Sequence, residues 1–117
     1  MKKIYHLSSC STCQRIIREL GITEKVFSMQ DIKTEKISPL QLDEMKSLAG
    51  SYELLFSRVA LKYRAFGLNE KTLSEKDYRK YILEEYTFLK RPVFILGKAI
   101  FIGNSKKNIE AVKAALK

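Results

Sequence analysis

Two short apolar runs near the end of the chain, residues 93–96 (Val-Phe-Ile-Leu) and 99–102 (Ala-Ile-Phe-Ile), are separated only by Gly97-Lys98. A two-residue connection containing glycine lets neighbouring strands pair only as an antiparallel hairpin. The start of the chain imposes the opposite geometry. Residues 3–7 form an apolar and aromatic stretch broken by Ser8-Ser9. Ile16, Ile17 and Leu20 then recur at helical spacing up to Gly21, and a second strand is expected at 25–29. Strand, helix, strand in that order gives a parallel pair joined by a right-handed crossover. A sheet holding both pieces has to be mixed.

The middle of the chain reads as helical. Ser38-Pro39 is an N-cap followed by proline at the first helical position, with Leu42, Met45 and Leu48 as the apolar stripe before Gly50. A further turn is expected at 52–56, short helical turns within the basic stretch 58–73, and a helix capped by Ser74 running to about residue 85. After the hairpin, Asn104 or Ser105 caps a last helix with Ile109, Val112 and Leu116 on one face. This order predicts an α/β chain of thioredoxin-like fold, with a βαβ half and a ββα half around one mixed sheet. We expect a single domain over 1–117, with a helical insertion at about 38–90. At 117 residues and 45% apolar composition the chain has enough core material without staples.

No stretch resembles an export signal or a membrane span, so a cytoplasmic monomer is expected, with no membrane contact. The formal net charge is +9, and most of the excess lies beyond residue 50. No nucleic-acid motif accompanies it, so direct nucleic-acid binding is not expected; a solvated basic surface, an oxyanion ligand or an acidic partner fits the charge.

The chain's two cysteines both fall at the mouth of the first helix, in Cys10-Ser11-Thr12-Cys13. The unsatisfied N–H groups of a first helical turn and the positive end of its dipole favour thiolate over thiol, which makes Cys10 the expected nucleophile. Cys13, three residues on along the same face, can attack an adduct on Cys10 and close a disulfide. The same pair could instead be buried as small apolar residues. Zinc would need four ligands, and His6 is the one other soft donor, so no metal is expected.

The second constellation is cationic. Arg58 and Arg91 offer planar forks suited to an oxyanion, and Arg15 and Arg18 lie on the first helix. Arg91-Pro92 opens a strand, which suggests a cis peptide bond in a tight turn. His6 ends the first strand four residues before Cys10, where it either supports the thiolate or is structural.

Ile4-Tyr5-His6 through Cys10, Leu55-Phe56-Ser57-Arg58 and Arg91-Pro92-Val93-Phe94-Ile95, in this order, resemble the family of the glutaredoxin-linked arsenate reductases (ArsC) and the Spx regulators. The resemblance spans essentially the whole chain. It implies Cys10 as the nucleophile towards arsenate, Arg58 and Arg91 as anion-binding residues, and His6, Thr12 and Pro92 in support. It also implies glutathione as co-substrate, with glutaredoxin or thioredoxin as the reducing partner and no bound cofactor.

Two departures matter. Such reductases carry a third arginine on or after the last strand. Here Ile102-Gly103-Asn104 occupies that region, leaving Lys98, Lys106 and Lys107 as the nearest substitutes. The Cys10-x-x-Cys13 spacing resembles the Spx-like branch, whose disulfide acts as a redox switch and which binds RNA polymerase. That branch places arginine directly after the second cysteine, whereas here Gln14 stands between Cys13 and Arg15. An arsenate-reductase-like enzyme and a redox-switched regulator are therefore the two functional expectations.

Overall fold

The computed structural model describes residues 2–116. A four-stranded mixed sheet organises one of two compact units, formed by the N-terminal residues to Lys36 together with Arg91 onward. Its strands are β1 (Lys2–His6), β2 (Ser28–Asp31), β3 (Val93–Leu96) and β4 (Ala99–Ile102), in the spatial order β2-β1-β3-β4. β1 and β2 run parallel, with Ile4 opposite Met29. β1 and β3 are antiparallel, with Ile4 opposite Phe94, and β3 and β4 form the hairpin, with Phe94 opposite Phe101. Gly97 in the hairpin turn has φ +64°, a left-handed conformation in which a side chain would be strained.

Side chains directly opposite one another share a sheet face. Ile4, Phe94, Met29 and Phe101 therefore meet two helices on one side: α1 (Ser11–Leu20) and the last helix, Lys106–Leu116. Ile16 and Ile17 from the first and Ile109 and Val112 from the second complete this core, with Ile22 and Phe27 from the α1–β2 connection. Gly21 ends α1 in a left-handed conformation and donates its N–H to Arg18 O. Ser105 caps the last helix, its hydroxyl accepting from Asn108 N–H at 3.1 Å.

The second strand begins three residues later than the sequence pattern suggests. The N–H groups of Val26 and Phe27 both donate to Thr23 O, at 3.1 and 2.9 Å, so residues 23–27 curl into a turn before extension starts at Ser28. Phe27 reaches the core from that turn while Val26 stays exposed.

The second unit, Ile37–Lys90, is helical. Its helices are α2 (Pro39–Ala49), α3 (Leu61–Ala65) and α4 (Glu75–Glu84), with 3-10 turns at Glu53–Leu55, Leu68–Glu70 and Tyr86–Phe88. Ser38 and Ser74 each form a reciprocal capping box, with Gln41 and Asp77 respectively. Phe56 is the hub of an aromatic cluster, its ring centroid 4.9 Å from Tyr78 and 5.1 Å from Phe88. A short antiparallel link joins Phe56 to Leu89, with Ser57 N–H donating to Phe88 O at 2.7 Å. The last helix of the first unit, Lys106–Leu116, is called α5 from here on. Among the described residues, no helix is long and apolar enough to cross a membrane.

Candidate active site

The parallel β1–β2 pair and the antiparallel β1–β3 pair leave the C-terminal end of β1 beside the N-terminal end of β3. One end of the sheet thereby collects the loop 7–10, the mouth of α1 and Arg91-Pro92. Cys10 is the N-cap residue of α1, in extended geometry (φ −93°, ψ 106°), and its carbonyl accepts the first helical bond from Gln14 N–H at 3.1 Å. Its own N–H donates to Leu7 O at 3.0 Å, closing the turn that aims the side chain at the helix end.

Partial burial alone would raise the Cys10 pKa. The N–H and thiol of Cys13, together with the charge and hydrogen bond of Arg91, outweigh it and hold Cys10 below the ordinary thiol value. The Cys13 N–H faces the sulfur outside the geometry of a full capping bond, so its effect is the electrostatic one of an unsatisfied helix N–H. Cys13 behaves oppositely. It is buried in α1, and burial, followed by its hydrogen bond to Cys10, pushes its pKa up to about 12. The site thus pairs a thiol inclined to ionise with one inclined to keep its proton. Both cysteines are free thiols.

Arg91 and Pro92 are joined by a cis peptide bond, as the strand-opening position suggested. Pro92 is buried, and its carbonyl accepts from Gly103 N–H at 2.8 Å, which brings the end of β4 to the same corner. Thr12 is half-buried in the first turn of α1. His6 ends β1 with its Nδ1 3.4 Å from Gln14 Nε2; burial lowers its pKa, while Asp31 opposes that shift.

Arg58 belongs to the second unit. Its Nη2 donates to Glu53 Oε2 and to the Tyr78 hydroxyl, both at 2.8 Å, and its guanidinium lies 5.6 Å from the Tyr78 ring centroid. Of the residues named from sequence, the first unit gathers Cys10, Cys13 and Arg91 into direct interaction. His6, Thr12 and Pro92 stand on the same connections.

Among the substitutes for a third arginine, Lys98 is ruled out by topology. It sits in the hairpin turn, at the opposite end of a four-residue strand from Pro92, a rise of about 13 Å. Lys106 follows β4 at the Cys10 end of the sheet. With Arg15, Lys113, Glu19 and Glu110 it lines a groove between α1 and α5 of about 340 Å³, in which Arg15 is paired with Glu19.

Two residues carry more of the site than their sequence positions suggest. Gln14 Nε2 donates to Leu7 O at 3.1 Å, and Asp31 Oδ1 accepts from Ser8 N–H at 3.3 Å. The loop before Cys10 is therefore held from the helix on one side and from β2 on the other. Gln14 is four residues beyond Cys10, so helical spacing alone could have pointed to it. Asp31 could be found only through the strand register. Among the described residues, no group of three or more His, Cys, Asp and Glu side chains is placed to hold a metal ion.

Comparison with known proteins places this geometry. The ArsC family model matches residues 5–112. The YFFB protein superposes with a TM-score of 0.81 at 21% identity, over 100% of both chains. An arsenate reductase from Vibrio cholerae gives 0.76 at 14% identity, over 96% of this chain and 95% of that one. An ArsC-related protein from Brucella melitensis gives 0.71 at 21% identity, over 94% and 92%. None of the curated proteins matches the chain by sequence.

Proposed function

The chain belongs to the ArsC family, whose members share a thioredoxin-like fold, and from that premise we propose that it is an arsenate-reductase-like thiol oxidoreductase with Cys10 as its nucleophile. The observation that carries this reading is the Cys10 thiol at the N-terminus of α1, with Arg91 hydrogen-bonded to it and its pKa held low. The thiolate, rather than the thiol, is the species that attacks an electrophilic centre, and a lowered pKa enlarges its share. Arg91, always charged and forked, is suited to hold an oxyanion against it.

In the proposed reaction the Cys10 sulfur attacks arsenic and forms an S–As bond, while one arsenate oxygen takes up protons and leaves as water. A second thiol then attacks the Cys10 sulfur. The S–As bond breaks with its electron pair remaining on arsenic, so As(V) becomes As(III) and the two sulfurs are oxidised to a disulfide. Glutathione is the proposed second thiol, and glutaredoxin or thioredoxin returns Cys10 to the thiol. Arg58 is proposed as a further anion ligand. Its exposed pairing with Glu53 is weak enough for a dianion to compete with it. Lys106, which opens α5 after β4 ends opposite Val93, is proposed as a third cation.

A second reading has its own observation. The Cys13 thiol is already hydrogen-bonded to Cys10, which favours an internal disulfide and hence a redox-switched regulator able to engage RNA polymerase. One experiment separates them. Glutaredoxin-coupled arsenate turnover is measured for the wild type, Cys10→Ser and Cys13→Ser, beside retention of RNA polymerase by the oxidised and reduced protein. Turnover abolished by Cys10→Ser and spared by Cys13→Ser supports the enzyme. No turnover, with polymerase retained in only one redox state, supports the regulator. Turnover that survives Cys10→Ser removes the mechanism.

A further inference from the structure

The Leu7 backbone is the point at which the Cys10 loop, α1 and both thiols meet. Leu7 O accepts from Cys10 N–H at 3.0 Å and from Gln14 Nε2 at 3.1 Å. The Leu7 N–H in turn contacts the Cys13 sulfur. The other hydrogen of the Gln14 amide faces His6 Nδ1 at 3.4 Å. A side-chain amide nitrogen has two donors and no acceptor. Nδ1 can accept from that hydrogen only in the tautomer of neutral His6 that carries its ring proton on Nε2. On the far side of the loop Asp31 Oδ1 takes Ser8 N–H, and the Asp31 carboxylate opposes the neutral form of His6.

From this geometry we infer that Gln14 is a positioning residue for Cys10: its amide ties the Leu7 carbonyl to the first turn of α1 and holds the sulfur at the helix mouth. The inference rests on the reading of Cys10 as the nucleophile. An N-cap side chain feels the first-turn N–H groups only while the chain enters the helix at the right angle. The loop Leu7-Ser8-Ser9 is a turn closed by one backbone bond, Cys10 N–H to Leu7 O, and both serines are exposed. The Gln14 bridge spans the loop from the residue that begins it to the helix that ends it. It is half-buried, so water competes with it only in part. The functional consequence is a bias of Cys10 towards thiolate exerted without touching the sulfur, in which a neutral amide supplies direction and Arg91 supplies charge.

The test is the pH profile of Cys10 alkylation by iodoacetamide, read on the Cys10 peptide by mass spectrometry, for the wild type, Gln14→Met and Gln14→Asn. Methionine keeps the length of the side chain and removes both donors, while asparagine keeps the donors on a stem too short to reach Leu7 O. Loss of one hydrogen bond of ordinary net strength predicts labelling at pH 6 slowed about threefold in both variants, with rates converging at high pH. The 15N resonances of the His6 ring provide a second readout that a merely structural role would not move. The wild type is expected to show the Nε2–H tautomer, and Gln14→Met a mixture of the two. A wild-type profile below that of a free thiol, left unchanged by both variants together with an unchanged His6 tautomer, overturns this role alone. A wild-type profile equal to that of a free thiol overturns the nucleophile reading, and this role with it. If Gln14→Met does not fold, Gln14→Asn and the His6 resonances decide.

Discussion

Replacing Arg91 by methionine removes the guanidinium that hydrogen-bonds to Cys10 and acts on it through its charge, while leaving a side chain of similar length. A hydrogen bond to a charged group is worth about 1.5–3 kcal/mol when well shielded. Cys10 is half-exposed, and solvent screening reduces the figure to about 1 kcal/mol. The sign follows from the charge. The cation stabilises thiolate, so its loss raises the Cys10 pKa and lowers the thiolate fraction at every pH below it. Alkylation of Cys10 at pH 6 should therefore slow about fivefold in Arg91→Met, the factor that 1 kcal/mol represents at room temperature. Above the pKa of both proteins the order should reverse slightly, because a less acidic thiol gives a more nucleophilic thiolate. Arg91→Lys should fall between the two, since it keeps the charge and loses the planar fork. The assay is the rate of Cys10 carbamidomethylation between pH 5 and 10, followed by mass spectrometry so that Cys13 is scored separately. Superimposable profiles for the wild type and Arg91→Met would refute the assignment of Arg91 as the thiolate's counter-cation.

Mild peroxide should close one intramolecular Cys10–Cys13 disulfide, because the two thiols are already hydrogen-bonded. Intact mass should show the loss of two hydrogens, and exclusive dimer formation would contradict this. Cys13, held near pKa 12 in the folded protein, keeps its proton where the unfolded thiol loses it above about pH 8.5. Stability should then fall as pH rises from about 9 to 12, by at most about 1.4 kcal/mol per unit. Cys13→Ala should flatten that limb, whereas Cys10, shifted the other way, stabilises above its unfolded pKa and loses that contribution as pH falls through its folded one. Urea midpoints measured across that range check the Cys13 sign, and midpoints below about pH 8.5 check that of Cys10. In the core shared by the sheet, α1 and α5, Phe94 is fully buried against both helices, and Phe94→Ala should cost about 3–5 kcal/mol of unfolding free energy, also read by urea denaturation.

Local chemistry could be read directly from the residues. Gly97-Lys98 dictates the hairpin because only a left-handed residue allows so short a turn, and Gly97 adopts that conformation. Ser38 and Ser74 declare helix starts because a hydroxyl and its partner three residues on satisfy each other's orphan donors. Cys10 at the mouth of α1 is of the same kind. Its spacing from Ile16 and Ile17 places it at a helix entrance, and the neighbouring N–H groups then act within a single turn.

Interactions between distant segments were decided by tertiary structure. Arg91 reaches Cys10 because β1 pairs with β3 in a register that sets Tyr5 opposite Val93, and no local pattern encodes that register. The same ladder separates Lys98 from the site and keeps Lys106 at its end, although both seemed equivalent along the chain. The second strand slid from 25–29 to Ser28–Asp31 because a turn closed on Thr23 O outcompeted extension at Val26, and the slide also set Asp31 opposite His6. Sequence determines what each residue does within about a turn of helix or a strand pair with a tight turn. Which charges and donors finally face the sulfur depends on strand order and register, whose energy comes from burying Ile4 and Phe94 together rather than from any property of the site itself.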